Sequence, residues 1–133
     1  MRIFVIAVAA VLLSACSAGG DISAADAAVG TFHDRLNDEQ FGVIYAQSDP
    51  AFKSAAPETE TLKFLSSVRA KLGRYKSGKR NSWRVNYGTN AGTIILFDSE
   101  FEKGKAQETF TFRNGPKALL VGYNVNSAIF VTG

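Results

Sequence analysis

The only histidine of the chain, His33, is the side chain best suited to acid–base chemistry. An imidazole oriented by a carboxylate can act as a general base, and Asp34 or Asp26 could supply that carboxylate. Adjacent residues of a helix do not face each other, which makes Asp34 a poor partner. The alternative that the pattern favours is a histidine at the edge of a helix with its polar tip in water.

Glu108 is a second candidate, because the strand pattern places it beside Ser99 on the inner, apolar face of a sheet. A buried unpaired carboxylate is costly, so Glu108 must be neutral, hydrogen-bonded or solvated at an open rim. The rim is the favoured interpretation, and the alternative is a polar contact for a ligand in an apolar pocket. The candidate pocket comprises Phe32, His33, Asn81, Ser99, Phe101 and Glu108.

Positive charge is concentrated in one stretch of the chain. No Asp or Glu occurs between Thr61 and Phe97, and the candidate basic patch within this stretch consists of Lys76, Lys79, Arg80 and Arg84. Such a patch could bind anionic head groups or an acidic partner. The favoured alternative is a solvated edge strand whose charges discourage sheet-to-sheet aggregation.

Other chemistries lack the residues that they need. One His, one Cys and no spaced set of carboxylates give no metal site, and no Gly-rich phosphate loop follows a strand. Catalysis by a serine would need the same single histidine. We therefore expect no metal and no cofactor.

The N-terminal segment has the layout of an export signal. Arg2 is followed by an apolar run from Ile3 to Leu13, which is about half the length of a membrane-spanning helix. Two small residues then precede Cys16, the only cysteine. This arrangement resembles the bacterial lipoprotein signal, which implies cleavage before Cys16 and acylation of its thiol and its new amine, with palmitate as a typical acyl chain.

The predicted location follows from this resemblance. Ser17 is not the aspartate that resembles an inner-membrane retention signal, so we expect the periplasmic face of the outer membrane. Export excludes nucleic acid as a partner. Residues 1–15 are predicted to be the signal peptide, 16–22 a short tether, 23–127 a single domain and 128–133 a C-terminal tail.

Helical periodicity dominates the first half of the domain. A capping box at Ser23 predicts the start of the first helix, and its apolar stripe is Ala25, Val29, Phe32 and Leu36. Asp38 and Asp49 are the predicted caps of two short helices. A fourth helix is predicted from Pro57 to a C-cap at Gly73.

From Arg74 onward the period is two, which predicts four antiparallel strands in a meander. A turn at Lys103-Gly104 would place Phe97 opposite Phe110, and the next turn would place Phe110 opposite Leu119. Trp83 is predicted to complete this buried row on the first strand.

Helices followed by a curved meander resemble the cone-shaped nuclear transport factor 2-like and cystatin-like folds. The segments 108–112 (ETFTF) and 119–127 (LLVGYNVNS) are similar to those of small bacterial envelope proteins of unknown function. The chain departs from that pattern at 116–118, where an aromatic residue is expected. The resemblance implies an α+β fold with N-terminal helices packed on a four-stranded antiparallel meander, and it implies no catalytic residue.

Two functions remain open from the sequence. The leading hypothesis is a non-catalytic, lipid-anchored envelope module that binds a small apolar ligand or an envelope protein. The alternative is a cone-fold enzyme of the isomerase or dehydratase type that uses His33 as its general base.

Overall fold

The computed structural model describes residues 17–89 and 91–132. The predicted signal peptide and Cys16 lie outside these residues. Helices precede a four-stranded antiparallel sheet, which confirms the predicted α+β class. In chain order the elements are α1 (Ser17–Asn37), α2 (Phe41–Ala46), α3 (Pro50–Ala55), α4 (Glu58–Leu72), β1 (Tyr75–Asn86), β2 (Gly92–Phe101), β3 (Gly104–Phe112), β4 (Leu120–Asn126) and α5 (Ile129–Thr132).

The long helix α1 packs its apolar stripe into the core. All four predicted stripe residues, Ala25, Val29, Phe32 and Leu36, are buried. The helix begins at Ser17, so residues 17–22 are helical rather than the expected tether, and the predicted start at Ser23 is wrong. Asp21 explains part of this difference, because its carboxylate accepts hydrogen bonds from distant residues and fixes the early turns of the helix.

The caps of the helices between α1 and the sheet match the sequence-based prediction in α3 and α4 and differ from it in α2. Asp49 caps α3 as predicted, since its carboxylate accepts the amide hydrogen of Ala51 at 2.9 Å. The prediction for Asp38 is wrong, because Gln40 occupies the N-cap position of α2 and makes no side-chain cap. Gly73 ends α4 with φ of 78°, a conformation that glycine adopts without strain.

The sheet is the predicted meander, with strand order β1-β2-β3-β4 and a different register. Ile95, not Phe97, lies opposite Phe110 on β2, and Tyr123, not Leu119, lies opposite Phe110 on β4. These shifts are of two and four residues. Because side chains alternate along a strand, an even shift leaves Ile95, Phe110 and Tyr123 on their predicted face.

Two further expectations for the strands differ from the structure. Trp83 pairs with Ile95 on the helix-bearing side of the sheet but is 51% exposed, because β1 is an edge strand. A register irregularity between Thr111 and Phe112 skips one residue of β4. Leu120 rather than Leu119 is therefore buried opposite Phe112.

The C-terminal residues fold back onto the domain. Residues 128–133 were expected to be a tail, but 129–132 form α5, in which Ile129 and Phe130 pack against the core. A methyl group added at Gly104 would lie 2.7 Å from a side-chain carbon of Ile129. The absence of a side chain at Gly104 therefore lets α5 close over the turn between β2 and β3.

Candidate functional site

The most concentrated polar chemistry in the described residues is a group that we call the Glu108 cluster: His33, Ser99 and Glu108, which are buried, and Tyr123, which is partly buried. Nε2 of His33 lies 2.7 Å from Oε1 of Glu108, and the Ser99 hydroxyl donates to the same oxygen. The Tyr123 hydroxyl donates to Oε2 at 2.5 Å. With Glu108 ionised, all three partners are donors and both carboxylate oxygens are used.

The cluster forms because four elements bring one polar side chain each to the same depth. His33 follows Phe32 in the buried face of α1, and Glu108 lies on β3, an inner strand of the sheet. Ser99 on β2 and Tyr123 on β4 are the diagonal cross-strand neighbours of Glu108. Side-chain alternation along each strand therefore places Ser99, Glu108 and Tyr123 on the inner face of the sheet, and the strand registers bring them into contact.

Aromatic rings enclose the imidazole. The ring of Tyr75 stacks on His33, with centroids 3.6 Å apart and planes inclined by 7°. Four phenylalanine rings lie around it within 6.3 Å: Phe32, Phe97, Phe101 and Phe110. His33 is only 2% exposed and Glu108 is fully buried.

Burial and the carboxylate charge also act on the two tyrosines. The pKa of Tyr123 is raised well above its ordinary value, first by burial and then by the charge and hydrogen bond of Glu108. The pKa of Tyr75 is raised by burial and by the charge of Glu108. Both phenols therefore stay protonated at neutral pH, and Tyr123 remains a donor to the carboxylate.

These contacts change the roles expected of His33 and Glu108. The structure places neither the His33 tip nor the Glu108 carboxylate in water, so the favoured interpretations of a wet helix edge and a solvated rim are wrong. The carboxylate that meets His33 is Glu108, 75 residues away in sequence, rather than Asp34 or Asp26. Each polar group of the cluster is held by another, an arrangement typical of a structural network.

The other candidate pocket residues divide into two groups. Phe32 and Phe101 are buried beside the imidazole. Asn81 does not join them, because a register irregularity between Arg80 and Ser82 leaves it exposed, where its amide donates to Asp98 at 2.9 Å. The expected pocket at Glu108 is thus filled by protein side chains.

An open groove lies along another face of α1, and we call it the α1 groove. Its volume is about 520 Å³, within the range of roughly 300–1,000 Å³ that is usual for small-molecule sites. Small residues of α1 form one wall, and the opposite wall comes from the segment between β3 and β4. The lining residues are Ala24, Ala27, Ala28, Thr31, Phe32, Arg35, Ile44, Gln47, Phe112, Pro116, Lys117, Ala118, Leu119 and Leu120.

The charges at the α1 groove are of one sign. Arg35 and Lys117 both line it, and its lining contains no Asp or Glu. Its helical wall extends from Ala24 to Arg35, about 16 Å at 1.5 Å per residue. The groove therefore offers an elongated apolar surface with positive charge from two separate segments.

Asp49 and Arg113 fix the strand end that carries this wall. Arg113 donates to both carboxylate oxygens of Asp49, from Nη2 at 2.8 Å and from Nε at 3.0 Å. The amide of Asp49 also donates to the carbonyl of Leu120 at 2.8 Å. The Arg113 hydrogen bond and the Ala51 amide lower the pKa of Asp49.

The candidate basic patch is not one surface. Arg80 faces α1 and pairs with Asp26, whereas Lys79 and Arg84 occupy the other face of β1. Lys76 lies at the start of the strand, where the register shifts. All four residues are exposed, but the bulges of β1 divide them between two faces.

Sequence reasoning did not find Tyr75, Tyr123 or the α1 groove. The recurrence of Ala24, Ala28 and Thr31 on one side of α1 was the available signal for the groove, since small residues leave space beside a helix. Within residues 17–89 and 91–132, no group of three or more His, Cys, Asp or Glu could hold a metal ion. None of the helices in that part of the chain is long and apolar enough to cross a membrane.

The fold and these two sites define a small α+β domain with a sealed polar cluster and an open apolar groove. No protein-family model matches the chain, and a search of curated proteins finds no significant match.

Proposed function

We propose that this protein is a lipid-anchored bacterial envelope module, acylated at Cys16, that binds a small apolar ligand without catalysing a reaction. The observation that carries the binding function is the α1 groove, which is open, largely apolar and about 520 Å³ in volume. The likeness of the Cys16 segment to a lipoprotein signal supports the anchor and a position at the periplasmic face of the outer membrane.

The charge of the groove favours a ligand with an anionic group. Arg35 and Lys117 meet no acidic residue among the groove lining, so a negative charge on the ligand would find two cations. Apolar contacts would come from side chains such as Ala28 and Leu119, which supply affinity in proportion to the area that they bury.

The enzyme hypothesis for His33 has a weaker basis. A general base must come within hydrogen-bond reach of a proton on the substrate. His33 is enclosed by aromatic rings, and its carboxylate partner is also engaged by Ser99 and Tyr123. This access argument favours a binding module over an isomerase or dehydratase.

A fluorescent naphthalene sulfonate, which is apolar and anionic, tests the α1 groove directly. Ala27→Trp should block the groove and abolish most of the dye binding, because Ala27 lines it and is exposed rather than part of the core. Ala70→Trp, at an exposed position of α4, is the matched control and should bind like the parent protein. Equal binding by the two variants would refute the groove as the site.

The charge preference is tested with a second dye. Lys117→Gln should lower affinity for the sulfonate about two- to fivefold, which corresponds to an exposed ion pair of up to about 1 kcal/mol. Affinity for neutral phenylnaphthylamine should not change. Lys63→Gln on α4 is the control, and an identical loss for both dyes would contradict the electrostatic role.

A further inference from the structure

Three segments meet at one end of the domain, around Asp21 near the beginning of α1. The amide of Gly115, in the turn before β4, donates to Asp21 Oδ1 at 2.9 Å, and the hydroxyl of Tyr87 donates to Oδ2 at 3.4 Å. Since α1 begins at Ser17, one residue after Cys16, this end adjoins the proposed site of acylation.

Two large aromatic side chains are exposed at this end. Trp83 is 51% exposed on the helix-bearing side of β1, and Tyr87, which contacts Asp21 of α1, is 59% exposed. Tryptophan and tyrosine are enriched at membrane–water interfaces, where the ring is partly desolvated and the polar edge stays hydrated.

The opposite end of β1 is far from the anchor. Tyr75, at the start of the strand, exchanges hydrogen bonds with the side chain of Asn37, the last residue of α1. The 21 residues of α1 span about 30 Å. Lys76 therefore lies near the anchor-distal end, although the sequence groups it with Arg84 in a single basic stretch.

We propose that Trp83 and Tyr87 form a membrane-facing surface, the Trp83 surface, that lies in the head-group region of the bilayer holding the Cys16 lipid. The proposal rests on the lipid anchor of the proposed function. A phospholipid bilayer is the partner that the two exposed aromatic rings and the nearness of the anchor favour together. The domain would then contact the bilayer through the end of β1, and Lys76 would lie away from the bilayer surface.

The single tryptophan of the chain makes this orientation measurable. The acylated protein is purified from membranes and reconstituted into phosphatidylglycerol-containing vesicles whose acyl chains carry bromine, a quencher of short range. Trp83 emission should be quenched and should shift to shorter wavelength compared with the protein in detergent.

The matched control moves the tryptophan along the same strand. In the double variant Trp83→Phe/Lys76→Trp, the indole stands at the exposed, anchor-distal end of β1 and should show neither quenching nor the shift. Circular dichroism checks that both proteins are folded. Equal quenching at the two positions, or none at position 83, would overturn the proposed surface.

Mass spectrometry of the reconstituted protein separates the two proposals. An acylated Cys16 without quenching of Trp83 leaves the anchor standing and refutes the orientation. An unacylated Cys16 refutes the anchor and the orientation together, whereas the dye measurements on the α1 groove report on ligand binding independently.

Discussion

Glu108 is a fully buried carboxylate whose two oxygens accept from three side chains. A charge that deep is tolerated because His33, Ser99 and Tyr123 replace the hydrogen bonds that water would supply. A ligand that approached Glu108 would have to displace one of these donors. Its contribution is therefore expected in the free energy of unfolding rather than in ligand binding.

Glu108→Gln tests this role at the level of one functional group. The side-chain amide nitrogen of the introduced glutamine would face a hydrogen-bond donor, which leaves at least one buried polar group poorly paired. We expect the free energy of unfolding to fall by about 1–3 kcal/mol. Urea unfolding measures the loss. Gln107→Ala, the exposed neighbour on β3, is the control and should change stability by less than about 0.5 kcal/mol. Similar values for both variants would contradict the structural role of the cluster.

The loops and strand ends around α3 are connected by one ion pair. Asp49 caps α3 through the Ala51 amide and accepts two hydrogen bonds from Arg113 just beyond β3. Its backbone amide donates a hydrogen bond to the carbonyl oxygen of Leu120 at the start of β4. A single residue, through its side chain and its backbone amide, thus joins a helix to the ends of two strands and supports the wall of the α1 groove.

The Asp49–Arg113 ion pair should make the stability of the fold depend on pH. The pKa of Asp49 is lowered from 3.8 by Arg113 and by the Ala51 amide, so the folded state favours the charged form. Its stabilisation is present above about pH 4 and is lost as pH falls through the lowered pKa. Asp49→Asn should therefore reduce the melting temperature by a few degrees at pH 7, with a smaller difference near pH 3.

Glu100→Gln is the control for this measurement. Glu100 is exposed and pairs only loosely with Lys105, at 3.9 Å, so its replacement should change little at either pH. A difference between Asp49→Asn and the parent protein that is independent of pH would show that the charge on Asp49 does not contribute.

The whole molecule has a sealed interior and two surfaces that remain open to partners. Helix α1, the sheet and the surrounding aromatic rings enclose the Glu108 cluster. The α1 groove opens beside α1, and Trp83 and Tyr87 are exposed towards the end at which α1 begins. In the proposed arrangement the lipid positions the domain, and the groove binds the ligand close to the membrane.

Cys16→Ser tests the anchor of the whole protein. Without the thiol no diacylglycerol can be attached, and the membrane affinity that two or three acyl chains provide should be lost. We expect the variant to leave the detergent phase and to incorporate no labelled palmitate. Ser14→Ala, which keeps a small residue before the cysteine, should behave like the parent protein. Membrane partitioning of Cys16→Ser equal to that of the parent would refute the lipoprotein interpretation.

Periodicity in the sequence determined which residues are buried in the elements themselves. The stripe of α1 and the inward positions of β2 and β3 follow from spacings of about 3.6 and 2, which depend only on local backbone geometry. The even register shifts show the limit of this information, because Phe110 keeps its face while its partner on β4 changes from Leu119 to Tyr123.

Only the tertiary structure decided which distant residues meet. His33 and Glu108 are 75 residues apart, and their contact depends on the angle at which α1 crosses the sheet and on the strand registers. The α1 groove and the separation of Lys76 from Arg84 have the same origin. Local patterns determine which side of each helix or strand is buried. Which buried sides pack against each other depends on the total apolar area and hydrogen bonding of the folded chain, and no short segment of sequence contains that information.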